Sequence, residues 1–218
     1  MPVSNYRLPH RILSGAAILL CLFGAAESLR AIGRLLFASE PATGMDTLFQ
    51  YPLWGVAHFL PGLLFMMLVP LQLWAGFRNR HRVFHRWSGR ILVAVGVFLG
   101  VSGVAFPFFM PERVFSERVV MSAFFLLFLF FLSKAFAAAR KRDFVRHREW
   151  MIRWFVIGLG ITTQRVLLPI FIVAVGVTDA HSFWDIFVTA TWLAAAIQVL
   201  IAEWWLSTTR RSGLEVKA

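Results

Sequence analysis

The chain has 218 residues, 59% of them hydrophobic and 15% charged, with a formal net charge of +11. A soluble domain carries about a quarter charged residues, so this is the composition of a membrane protein. The basic residues lie in short segments and tails rather than in a free-standing basic domain, which argues against nucleic acid as a partner, and the lone Cys21 rules out an intrachain disulfide.

Met1 to Arg11 reads as a short polar leader. Ile12 to about Leu36 is the first apolar run, interrupted by Glu27, Arg30 and Arg34. Its charged start and the small Ala25 and Ala26 look like a signal peptide. Leu20, however, stands before Cys21 where a lipobox needs a small residue, and an uncleaved helix over 12–36 is the expectation. Ser39–Gln50 reads as a loop without Lys or Arg. A second helix is expected over 53–77, long enough to span with some tilt. Arg78–Arg90 then reads as a basic loop with five arginines and two histidines. The third helix is expected over 88–106, ended by Pro107 and Pro111, and the fourth over 119–139. A second basic loop, Arg140–Arg153, carries six Lys and Arg and leads into a fifth helix over 150–175. Gly176–Ser182 is a short turn, 183–206 a sixth helix, and Ser207–Ala218 a polar tail.

Lys and Arg collect in the leader, the two basic segments and the tail, while the alternate connections carry few. The positive-inside rule then gives an all-α, six-transmembrane-helix bundle with both termini cytoplasmic. It would form a single integral membrane domain over 1–218. Its partners would be the bilayer and anionic lipids at the cytoplasmic face, which attract each Lys or Arg by about 1 kcal/mol.

A His-Arg pair introduces each outward-running helix: His10-Arg11, His85-Arg86 and His147-Arg148. The last two continue alike, with Trp87 three residues before Arg90 and Trp150 three before Arg153. Three apart on a helix means one face, so each guanidinium can stack on its indole; ordinary helix-end anchoring gives the same pairing. With His85 and His147 near one plane, haem b is a candidate cofactor: two imidazoles would ligate the iron and Arg86, Arg90 or Arg153 would pair the propionates. Both histidines precede their apolar cores, which is shallow for such ligands. His81 and His85 are four apart, but no Asp, Glu or Cys accompanies them to complete a zinc set.

Ionisable residues inside the apolar runs form a second group. Glu27, His58, Gln164 and Arg165 reach the outer half of the span by helical rise and could form a polar cluster; local pairing of Glu27 with Arg30 or Arg34 explains it equally. Gly96, Gly100 and Gly103 make a small-residue stripe suited to close helix contact. No nucleophile elbow, phosphate loop or dinucleotide fingerprint occurs, so hydrolase, kinase and dehydrogenase readings have no support, and enzymatic activity stays undecided.

His58, Pro70-Leu71-Gln72, His85-Arg86, Gly89-Arg90, His147-Arg148, Trp150-Met151-Ile152-Arg153, Arg165 and Leu168-Pro169 together resemble a bacterial multi-pass membrane protein family of unknown function (domain of unknown function, family 2306). The histidines near helix ends are more loosely similar to two-haem b-type membrane cytochromes. The first resemblance implies a membrane fold with functional His and Arg positions and names no reaction. Gln72, carried by the same stretch, joins His85, Arg86, Arg90, His147 and Arg153 in an expected inner-face ligand site. The leading expectation is a binding or scaffold protein holding an anionic lipid or small ligand there. A haem cytochrome with ligands His85 and His147 is the alternative, and a small-solute transporter using the outer cluster is third.

Overall fold

In a computed structural model the chain is described over residues 7–37, 52–109 and 114–215. The expected Ser39–Gln50 loop and the stop at Pro111 lie outside the described residues. The elements are α1 (Arg7–Phe37), α2 (Pro52–Leu73), α3 (Ala75–Arg80), α4 (Arg82–Phe109), α5 (Phe115–Arg140), α6 (Phe144–Gly158), α7 (Gly160–Val175) and α8 (Ala180–Glu215). Among the described residues there is no strand. Six stretches are long and apolar enough to cross a membrane: Ile12–Phe37, Pro52–Leu73, Arg82–Phe109, Phe115–Arg140, Phe144–Val175 and His181–Arg210. The chain is therefore an all-α, multi-pass membrane protein. Large apolar residues such as Leu19, Val101, Val173 and Leu200 are exposed, whereas Gln72, Gln164 and Gln198 are buried, the arrangement expected where lipid is the solvent.

Five features differ from the sequence expectation. The segment Arg78–Arg90 is helical rather than a loop: α3 and α4 run through it, and the chain leaves helical geometry only at Trp74 (ψ 105°) and His81 (φ −118°, ψ 59°). Positive charge fixes where a segment sits, not its backbone, and arginine is a good helix former. The second basic loop likewise shrinks to the turn between α5 and α6. The fifth helix divides at Leu159, between Gly158 and Gly160. The sixth helix continues past Leu206 to Glu215, because the hydroxyls of Ser207, Thr208 and Thr209 donate to carbonyls of Trp204, Trp205 and Leu206 and so satisfy themselves within the helix. Pro107 falls inside α4, whose last turn runs on to Phe109.

Contacts divide the chain into two compact units. In the unit Cys21–Leu132, α2 and α4 form an antiparallel pair about α3: Gln72 meets Ser88 and His58 meets Ser102, each pair equidistant along the chain from Arg80. Gly100 and Gly103 of α4 face Leu129 and Phe125 of α5 so closely that a Cβ at either glycine would overlap those side chains. The small-residue stripe thus works as a packing seat.

The other unit comprises the described residues of Met1–Leu20 and Ser133–Ala218. Here α8 packs along α6 and α7. The chain reverses between α7 and α8 through Gly176, whose φ of 84° only glycine adopts without strain. Asp179 then caps α8 by accepting the Ser182 N–H at 2.7 Å. Between α5 and α6 the Arg142 N–H bonds the Ala139 carbonyl and the Asp143 N–H bonds that of Ala138, with Arg142 left-handed at φ 58°. This is a helix C-terminal motif built without glycine, at about 1–2 kcal/mol of backbone strain. Asp143 in turn caps α6 through the Arg146 N–H.

Candidate functional site

The first basic segment presents its charge outward. Arg82, Arg86 and Arg90 recur every four residues and so share one side of α4, and all three are exposed. No Asp or Glu occurs between Arg78 and Arg90. Among the described residues none of the segment's five arginines takes part in an ion pair. The Arg90 guanidinium lies 4.8 Å from the Trp87 ring centroid, and Trp87 is 62% exposed. On the buried side Gln72 Nε2 donates to Ser88 Oγ, which donates to the Phe84 carbonyl, joining the ends of α2 and α4. Gln72 therefore has a structural engagement that the sequence did not indicate, while His85 is half-buried on the same turn of α4.

In the second basic segment Arg140, Lys141, Arg142 and Arg148 are likewise exposed and in no ion pair among the described residues, but Arg146 and Arg153 are matched by carboxylates. Arg153 stacks on Trp150 at the same 4.8 Å, but its Nε and Nη2 donate to both oxygens of Glu203 on α8, at 2.5 and 2.9 Å. Arg210 makes the matching two-bond contact with Glu149, and Glu149 also lies 4.0 Å from Arg153 Nη1. Two arginines and two carboxylates thus close an α6–α8 network in which the Arg153 side chain is only 13% exposed. The reading of the sequence missed Glu149, Glu203 and Arg210. The Glu149–Arg153 spacing of one helical turn was a visible signal, whereas nothing local pointed to Glu203.

His147 Nδ1 is 2.9 Å from the Ala135 carbonyl, so this nitrogen carries the proton and donates, and the ring helps hold α6 against the end of α5. For the haem expectation this fixes the tautomer with Nε2 as the open nitrogen, a fitting arrangement for a ligand. His85 belongs to the other unit, and Arg153, expected on a propionate, is bound to Glu203. Among the described residues no group of three or more His, Cys, Asp or Glu could hold a metal ion.

Of the residues expected in an outer cluster, Glu27 and His58 belong to one compact unit and Gln164 and Arg165 to the other. Glu27 accepts two bonds from Arg30 on the next turn of α1, at 3.1 and 2.7 Å, the local pairing weighed from the sequence. His58 Nδ1 lies 2.9 Å from Ser102 Oγ, and the rings of Phe59, Phe106 and Phe125 stand edge-on around it. Because the Ser102 hydroxyl donates to the Leu99 carbonyl, the imidazole is the donor in this pair. Gln164 is buried in α7, and its Nε2 has no hydrogen-bond partner among the described residues. Nearby, Gln198 of α8 donates to Thr163. Arg165 is half-buried on the following position.

No curated protein and no solved structure matches the chain. A family described as "predicted membrane protein" matches residues 55–206, from the start of α2 into α8 and across both basic segments. With that match over most of its length and six membrane-length stretches, the chain belongs to the DUF2306 family of predicted membrane proteins.

Proposed function

We propose that the protein is a binding or scaffold protein of the bacterial inner membrane, with both termini cytoplasmic, that holds an anionic group on the arginine row of α4. The observation that carries this reading is the contrast in electrostatic partners. Arg82, Arg86 and Arg90 are exposed and without ion pairs among the described residues, whereas Arg153 and Arg210 are matched by carboxylates. Guanidinium groups present paired N–H donors to phosphate or carboxylate oxygens, and a row of three offers more than one such fork. Arg86 and Arg90 are the principal contacts and Arg82 extends them. Gln72 and His85 support the turn of α4 that carries them, and His147 and Arg153 maintain the α5–α6–α8 side.

The test is the anionic lipid or ligand retained through purification, measured by mass spectrometry. Arg86→Gln with Arg90→Gln is compared with an equal loss of charge at Arg146→Gln with Arg148→Gln. The expected outcome is a several-fold loss of retained anion in the first variant and little change in the second. Equal retention in wild type and the Arg86/Arg90 variant overturns the reading.

A further inference from the structure

The arginine row of α4 does not end in water. Trp87, Ile91, Phe98 and Val101 follow one another at steps of four, seven and three residues, a spacing that keeps them on one stripe of the helix, and all four are exposed. Ala94, also exposed, stands between Ile91 and Phe98 and is the shortest side chain on the stripe. At 1.5 Å per residue the stripe from Trp87 to Val101 is about 21 Å long, more than the ~15 Å that one leaflet contributes to the hydrocarbon core. The charged row and the apolar stripe meet where the Arg90 guanidinium covers the Trp87 ring.

We infer that these two rows together hold one anionic phospholipid, its phosphate on Arg86 and Arg90 and an acyl chain laid along the stripe from Trp87 to Val101. This rests on the anion-holding reading above and narrows it from an anionic group to a phosphate that carries its own hydrocarbon chain. Charge complementarity selects the head group: three guanidinium groups, no carboxylate in the segment, and a fork geometry that suits phosphate. The stripe favours a lipid over a soluble anion, because an anion carrying its own hydrocarbon chain gains contact with the adjoining Trp87 and Ile91 that a free phosphate or carboxylate cannot make. Trp87 is the joint between the halves, presenting an apolar body to the chain while orienting Arg90 toward the head group. The corresponding stripe beyond Arg153 is unsuited to the same use, since Trp154 and Ile157 are buried.

The experiment places the full chain in phosphatidylcholine vesicles and measures the motionally restricted fraction of spin-labelled phosphatidylglycerol against spin-labelled phosphatidylcholine. Glycerol phosphate serves as a soluble competitor. The expected result is a restricted population of about one phosphatidylglycerol per chain that millimolar glycerol phosphate does not displace. Selectivity disappears in Arg86→Gln with Arg90→Gln and falls about threefold in Trp87→Ala, the size of a lost exposed cation–π contact. Trp87 lies on the surface, so its replacement leaves the fold intact, and Phe98→Ala serves as a second stripe variant with the same expected direction. If glycerol phosphate binds in an Arg86- and Arg90-dependent way while phosphatidylglycerol is restricted no more than phosphatidylcholine, the lipid inference falls and the anion-holding reading stands. If neither probe responds to the arginine variants, both fall.

Discussion

Trp87 with Arg90 on α4 and Trp150 with Arg153 on α6 share a spacing of three residues and a cation-to-ring distance of 4.8 Å. Their surroundings are opposite. Trp87 is 62% exposed and Arg90 has no ion pair among the described residues, while the Arg153 side chain is 13% exposed and both edges of its guanidinium face carboxylates. The local contact follows from helix geometry alone and is therefore the same in both. What each arginine is available to bind depends on whether another helix brings a carboxylate to it, and for Arg153 that helix is α8, fifty residues later. A repeated sequence pattern thus repeats a local structure without repeating a role.

The strongest way to break this contrast is to remove the two arginines in turn. Arg153→Ala leaves Glu203 without its two donors, and a loss of about 2–3 kcal/mol is expected, between the values for exposed and buried ion pairs. Thermal or denaturant unfolding in detergent would measure it, and a double-mutant cycle with Glu203→Gln should give a coupling of about 1 kcal/mol or more. Arg90→Ala should cost less than about 0.5 kcal/mol, as for a surface change. Equal losses at the two positions would erase the distinction.

A smaller effect sharpens it on α4 itself, where one side is packed and the other open. Gly100→Leu forces a side chain into Leu129 and should destabilise by about 1–3 kcal/mol, whereas Ala94→Leu on the exposed stripe should stay within about 0.5 kcal/mol. The same unfolding assay reads both.

The smallest expected effect concerns the start of α8, the helix that supplies Glu203. The Ser182 backbone N–H, followed by its side chain, holds the Asp179 carboxyl below the ordinary aspartate value. Because the folded value is the lower one, its contribution is complete above the unfolded value of about 3.9 and is lost as pH falls through the folded one. Protection of the amides in the first turn of α8, relative to their intrinsic exchange rates, should therefore fall only under acid conditions, and Asp179→Ala should remove that dependence. A first turn equally protected above and below this range would show that the cap contributes nothing.

The membrane-spanning elements were legible because long apolar runs bounded by Lys and Arg have few other readings, and the stripe at Gly96, Gly100 and Gly103 announced a close helix contact. The Trp-Arg stacking was legible as well, being set by residues one turn apart. The conformation of Arg78–Arg90 was not, since charge bias reports a side of the bilayer and says little about backbone. Nor was the fate of Arg153, because its partner Glu203 is brought to it only by the packing of α8 along α6. Nor were the contacts of Ser88 with Gln72 and of Ser102 with His58, which emerge only when α2 lies antiparallel to α4.

Asp143 is at once the residue that closes α5 and the cap that opens α6, and His147 ties back to α5 one turn later. No spare residue separates the two helices, so neither can be repositioned without undoing the end of the other. During synthesis such a pair is suited to enter the bilayer as one finished hairpin, and a short insertion after Arg142 should cripple biogenesis more than one of equal size elsewhere between helices.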